Sequence, residues 1–336
     1  MDKYIVKIAD RITDFHDNDW AMDIEHFDWV PGVGLYGLYH AYKKTGRQKY
    51  YEYLISWTER HLNEAYTQKT VNSTAPLLTV VELYNETKES KYLRVCREIA
   101  DYVLTDAPRT ADGGLEHTVT EPVLGFSDQV WADTLIMVCI FMARMGEITG
   151  ERKYTDFAVE QLIIHHKLLS DGTGLYYHGY NGAQKNHMSA VRWGRANAWI
   201  LYATSEIIKI IGDFKEKDDL IKFVQNHVKA LKAVQRADGG FGTILNDHDS
   251  YTEISATAGI IAGIKNSLNY GLIKSEYEIM YKKGIEAVKQ AIAEDGSVKG
   301  VSTGTPVLPS AEDYKAVPCC TALYGQGLAI IALAAE

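Results

Sequence analysis

Two kinds of turn alternate along the 336-residue chain, and together they leave few folds open. The first is Thr-x-x-x-Lys-Tyr, starting at Thr45, Thr87 and Thr149, each time between two apolar patterns of helical period. It reads as the tight turn of a helical hairpin: the threonine, twice followed by Gly, ends one helix, and the tyrosine packs back as the next begins. The second is Asp-Gly followed by an apolar residue: Asp112-Gly113-Gly114-Leu115, Asp171-Gly172-Thr173-Gly174-Leu175, Asp238-Gly239-Gly240-Phe241 and Asp295-Gly296-Ser297-Val298, spaced by 59, 67 and 57 residues. Asp-Gly supplies a left-handed turn, after which the chain re-enters the core. Short turns alternating with longer Gly-rich loops predict stacked helical hairpins with all the long loops at one end. About six hairpins fit the length, so the expected fold is all-α, an (α/α)6 barrel or six-hairpin toroid. No linker or charge run divides it, and residues 1–336 are expected to form one domain. Inner helices are expected near 34–42 and 76–84, from about Asp133, and near 196–202, 255–263 and 325–333, where Gly and Ala recur and allow close approach.

Composition narrows the function more than the fold. A net charge of -9 with no Lys/Arg run longer than two argues against a nucleic-acid partner. No stretch approaches the roughly 18 apolar residues of a membrane span, and residues 1–7 are charged, so no membrane partner is expected and a cytoplasmic location is. Cys96 and Cys139 lie in apolar helical patterns, as reduced core thiols do. The 22 tyrosines and six tryptophans suit either core packing or stacking on sugar faces.

Polar and aromatic groups gather where long loops meet inner helices. From the first loop come Asp23, His26, Asp28 and Trp29; from the second, Asn72 and Thr74; from the third, Asp128, Trp131 and Asp133. Asp133 opens a strongly apolar run with no charge before Arg144. Two readings stand: Asp128 caps the helix and Asp133 is a solvated first-turn acid, or Asp133 is a partly desolvated carboxyl with a raised pKa, suited to general acid work. The fourth loop, with Tyr177 and His178, leads to Trp193-Gly194-Arg195-Ala196-Asn197-Ala198-Trp199. Arg195 can grip a carboxylate with its planar fork, with Trp193 and Trp199 as pocket walls, or the stretch is a helix start with two core tryptophans. His178 can donate to a substrate oxygen or be satisfied locally. His165, His166 and His187 read as surface or core residues. Neither a phosphate-binding Gly loop, a nucleophile elbow nor metal-like spacing is present, so no nucleotide, metal or other cofactor is expected.

The stretches Asp128-Gln-Val-Trp-Ala-Asp133-Thr-Leu, Tyr177-His178-Gly, Trp193-Gly-Arg195-Ala-Asn197-Ala-Trp199 and Tyr324-Gly-Gln-Gly-Leu-Ala-Ile occur in that order. In them the chain resembles the unsaturated rhamnogalacturonyl hydrolases of glycoside hydrolase family 105, which are related to the unsaturated glucuronyl hydrolases of family 88. The resemblance implies removal of a 4,5-unsaturated uronic acid from the non-reducing end of a short oligosaccharide left by a lyase, by hydration of the double bond. It makes Asp133 the acid that protonates C4 and then directs water to C5, and puts His178, Trp193, Arg195 and Trp199 around the unsaturated ring. Trp29, Asn72, Asp128 and Trp131 complete the expected substrate contacts. Rhamnose as the neighbouring sugar is implied by resemblance alone. Two departures stand out: Asn72 sits where members commonly carry a second Asp, and Glu116-His117-Thr118 replaces a His-Lys pair. The competing readings are another toroidal sugar enzyme, such as an epimerase or an inverting glycosidase pairing Asp133 with Glu253 or Asp23, and a non-catalytic carbohydrate-binding toroid.

Overall fold

The computed structural model describes residues 2–14, 21–120 and 124–336. Its helices run α1 (Asp2–Asp14), α2 (Trp29–Thr45), α3 (Gln48–His61), the short α4 (Val71–Thr74), α5 (Leu77–Thr87), α6 (Ser90–Thr105), α7 (Ile140–Thr149), α8 (Arg152–Leu169), α9 (Gly194–Ile211), α10 (Lys217–Val234), α11 (Ile254–Asn269), α12 (Glu278–Gln290), the short α13 (Ala311–Ala316) and α14 (Leu323–Ala334). Helices α2, α5, α7, α9, α11 and α14 each pack on the next, and α14 packs on α2, which closes an inner ring. Helices α1, α3, α6, α8, α10 and α12 lie outside them. The result is the expected (α/α)6 toroid, with the expected inner helices in place.

Sequence decides which helix goes where. The outer α1 buries a single stripe, Ile5, Ile8, Ala9 and Ile12, and leaves its other faces to water. The inner α14 buries every residue from Leu323 to Leu333, and α9 buries nearly all of its length. Helices covered on all sides need small residues at their crossings. A Cβ added to Gly37 of α2 would lie 2.3 Å from the Cα of Gly327 in α14, so this seam exists only with glycine on both sides.

The repeated short turn forms the same bonds three times. The hydroxyls of Thr45, Thr87 and Thr149 each donate to the carbonyl four residues back, at 2.7 Å in every case. The backbone N–H two residues further on donates to each of those hydroxyls. Gly46, Lys88 and Gly150 take the left-handed conformation that ends the helix. Beyond the turn, Lys and Tyr together reach a carboxylate on the preceding outer helix: Lys49 and Tyr50 meet Asp10, Lys91 and Tyr92 meet Glu59, and Lys153 and Tyr154 meet Asp101. The motif therefore ties α3 to α1, α6 to α3 and α8 to α6.

At the other end, each Asp-Gly tip closes a miniature hairpin, with backbone bonds Thr110 to Gly114, Asp171 to Leu175, Arg236 to Gly240 and Ala293 to Ser297, all between 2.8 and 3.0 Å. The tips lean forward onto the next outer helix. A Cβ at Gly239 would meet the Lys283 carbonyl oxygen of α12 at 2.3 Å, and one at Gly296 the Lys7 carbonyl oxygen of α1 at 2.2 Å. That last contact joins the final outer helix to the first.

Three antiparallel ladders, absent from the helical expectation, brace the loops: β1 (Thr118–Val119) with β2 (Leu124–Gly125), β3 (Gln129–Trp131) with β4 (Gly179–Asn181), and β5 (Val301–Ser302) with β6 (Cys319–Cys320). Ladders of two or three residues are too short to leave a period in the sequence. Cys96 and Cys139 are buried free thiols, and His165 and His166 are core residues.

Candidate active site

The β3–β4 ladder sets the centre of the loop end. Trp131 faces Gly179 in register, and the N–H of Ala132 donates to the carbonyl of His178 at 3.0 Å. Asp133 and His178 are thereby brought side by side, with His178 Nε2 3.2 Å from Asp133 Oδ2. Past Asp133 the chain makes a π-helical turn, Leu135–Cys139, before α7. A π turn adds a residue to the helical repeat and re-aims what precedes it.

His178 is fully enclosed, and its Nδ1 lies 2.7 Å from the hydroxyl of Tyr314 on α13. Asp133 keeps 11% of its side chain exposed, and among the described residues His178 is its only side-chain hydrogen-bond partner. Burial pushes the Asp133 carboxyl up, but the hydrogen bond from His178 and the positive field of that side, Arg195 included, outweigh it and hold the group below its ordinary value. Burial likewise lowers His178, so the resting pair is a carboxylate beside a neutral imidazole. This corrects both expectations for Asp133: it is not a solvated acid, and its pKa is not raised. The partner responsible lies 45 residues away, beyond the reach of a local reading.

A continuous row of flat groups runs past the pair. Trp29, capped by the Asp28 side chain at the head of α2, stacks on Tyr324 with centroids 4.7 Å apart. The Arg195 guanidinium lies 4.7 Å over Tyr324 and 4.4 Å over Trp193. Trp193 meets His178 at 4.1 Å, His178 meets Trp131 at 5.6 Å, and Trp131 stacks almost parallel on His117 at 4.3 Å. Burial lowers His117 to about 4, so it is a neutral ring.

Other expected site residues land elsewhere. Arg195 is not a free anion anchor: one terminal nitrogen donates to Ser255 Oγ and to the carbonyl and hydroxyl of Ser302, the other to the Thr303 carbonyl and Thr305 Oγ1. Its charge is balanced by Glu253 at 3.7 Å, both side chains being fully buried. Trp199 is fully buried within α9, and Trp193 at the head of that helix is buried almost as completely. Asp128 does not cap a helix; it occupies a turn at φ 58° ahead of β3, and its N–H donates to Glu116. Asn72 sits on α4, which packs against the π turn, and among the described residues its buried Oδ1 has no partner. Thr74 is spent on the Thr70 carbonyl. Asp23 and His26 bond within their own loop, with His26 exposed. Glu253 caps α11 and accepts from Ser255, Ala256 and Ser302, so it is no free base. Tyr314 carries no signal in the sequence, whereas Tyr324, heading the closing Gly-Gln-Gly motif, and residues 302–304, at the end of the stretch 295–304 that shares the family resemblance, do. Among the described residues no cluster of three or more His, Cys, Asp or Glu side chains could hold a metal ion, and no helix is long and apolar enough to cross a membrane.

A closed ring of helical hairpins carries a carboxylate–imidazole pair among stacked rings, and its match to a glycoside hydrolase family model makes it a toroidal glycoside hydrolase. Residues 4–335 match the model of Glycosyl Hydrolase Family 88, and the chain belongs to that family. It is 34% identical over 333 residues to the unsaturated rhamnogalacturonyl hydrolase YesR of Bacillus subtilis, covering 98% of this chain and 94% of that one. Among solved structures, a possible member of family GH105 from Salmonella enterica superposes with a TM-score of 0.93 at 27% identity, over 99% of this chain and 92% of that one. A family 105 glycoside hydrolase of C. acetobutylicum shares the fold with a TM-score of 0.88 at 22% identity, over 99% of both chains.

Proposed function

We propose that the chain, as one hydrolase domain, removes the 4,5-unsaturated uronic acid from the non-reducing end of lyase-generated oligosaccharides. Its substrate is unsaturated galacturonyl-rhamnose, and it works by hydrating the C4=C5 double bond. The reading places it in the cytoplasm, in keeping with its reduced thiols. The observation that carries it is the Asp133–His178 pair, set among stacked rings and with only the Asp133 carboxylate partly exposed. Asp133 rests as a carboxylate; an arriving uronate brings a second negative charge and excludes water, and both raise its pKa until it takes a proton. That proton goes to C4, the oxygen of water adds to C5, and Asp133, again a carboxylate, receives the proton lost by the water. The product at C5 is a hemiketal. Opening of its C5–O5 bond leaves a ketone at C5 and a hemiacetal at C1, which releases the linked sugar.

In this reading Trp29, Trp131 and Trp193 pack against the unsaturated ring, His178 orients the acid, and the orphan Oδ1 of Asn72 accepts from a ring hydroxyl. Arg195 acts through its field and by holding the 302–305 segment, with Trp199 behind it. The inverting-glycosidase reading needs a second free carboxylate, and Glu253 is locked against Arg195. The test offers purified protein unsaturated disaccharides ending in rhamnose or in a hexose, and follows the ultraviolet absorbance of the double bond. Bleaching is expected with the rhamnose-linked substrate; a panel on which nothing bleaches defeats the proposal, and preference for the hexose-linked one corrects its sugar.

A further inference from the structure

The sequence offers no reason to single out Tyr314, yet it is fully buried, on a six-residue helix, and touches the imidazole that touches the acid. The N–H of Leu308 donates to the Tyr314 oxygen at 3.2 Å. A backbone N–H can only donate, so it fills one acceptor site of the phenol, and with the phenol's one proton directed at His178 Nδ1, 2.7 Å away, that nitrogen accepts. An Nδ1 that accepts carries no proton in a neutral imidazole. The ring proton is then on Nε2, aimed at Asp133 Oδ2.

Resting on the function proposed above, we infer that Tyr314 is a positioning residue, which fixes the His178 tautomer so that Oδ2 of Asp133 always accepts and the proton destined for C4 is confined to Oδ1. Without it, His178 can carry its proton on Nδ1 and turn a bare Nε2 toward the acid. A protonated Asp133 would then donate to His178 and not to the substrate. The groups facing the pair are few. Arg195 lies beyond Trp193 and contributes its charge to the field at Asp133, His117 beyond Trp131 is neutral, Ser189 touches Tyr314, and burial keeps the Tyr314 hydroxyl protonated at any working pH.

The test uses the full chain with ¹⁵N-labelled histidine, its Tyr314→Phe variant, and Tyr176→Phe as control. Tyr176 makes the same contact, hydroxyl to His166 Nδ1 at 2.7 Å, in the wall between α8 and α9, with no carboxylate attached. Nitrogen NMR of the wild type should show His178 protonated on Nε2, and Tyr314→Phe should move the proton toward Nδ1. In the same variant kcat should fall about tenfold, the worth of one net hydrogen bond, with KM within about twofold. The acid limb of its pH profile should shift upward, because a donor that lowered the pKa of Asp133 has gone. Tyr176→Phe should lower stability and leave the profile in place. An Nδ1 proton on His178 of the wild type overturns the inference, as does a Tyr314→Phe enzyme with unchanged tautomer and acid limb. The NMR result needs no substrate, so it stands or falls separately from the proposed reaction.

Discussion

At the short-turn end of the barrel the same bonds recur at Thr45, Thr87 and Thr149, whereas the segments that follow the four Asp-Gly tips differ from one another after about one turn. One of those segments builds β3 and the acid, another β4 and His178, a third the β5–β6 ladder and α13. Repetition marks the frame, and its interruption marks the site. The energetic character differs too. The short-turn ties are half-exposed ion pairs and tyrosine bonds, each worth little alone and tolerant of change. At the loop end, polar groups such as Arg195, Glu253 and Ser302 are buried against one another, so losing one leaves another stranded.

Substitutions can break this contrast. Asp133→Asn should reduce turnover by about 10²–10⁴-fold, the usual contribution of a positioned acid, with a melting temperature close to wild type. Arg195→Met, measured by urea unfolding, should cost about 3–5 kcal/mol because it strands the buried Glu253 carboxylate. Stability should also fall with acid. His117, His165 and His166 are held neutral at about 4, 4 and 3, while the unfolded chain takes up protons near pH 6.5. Their contribution is complete above pH 6.5 and lost as pH falls toward 4, at about 1.4 kcal/mol per pH unit for each residue. A flat stability profile between pH 7 and 5 would show that these rings are not buried as neutral bases. Gly296→Ala should cost about 1–3 kcal/mol, since it combines a left-handed backbone with a collision at Lys7. Tyr154→Phe, at the short-turn end, should cost about 1 kcal/mol with activity unchanged. If it cost as much as Arg195→Met, the two ends would not differ as argued.

The toroid was legible because its punctuation is local: Asp-Gly and Thr-x-x-x-Lys-Tyr act within six residues. Asp133, Trp131, His178 and Trp193 were legible as candidates for the same reason, each beside a helix or strand start. What escaped depends on distant chain. The state of Asp133 is set by His178, the terminal nitrogens of Arg195 are held by Ser255 and residues 302–305, and Tyr314 reaches His178 across 136 residues. Trp193 and Trp199 look alike in sequence and both are buried; Trp193, at the head of α9, meets His178, while Trp199 lies more than a full turn further along the helix.

In the proposed reaction Asp133 delivers a proton to C4 while water takes C5. Turnover of the unsaturated galacturonyl-rhamnose disaccharide in deuterium oxide tests it, with double-bond absorbance and released rhamnose followed together and Asp133→Asn run alongside. Absorbance should fall in step with rhamnose release and the uronate product should carry deuterium at C4, and the variant should do neither. Rhamnose released with the double bond intact, or an Asp133→Asn enzyme that still bleaches the substrate at the wild-type rate, would contradict it.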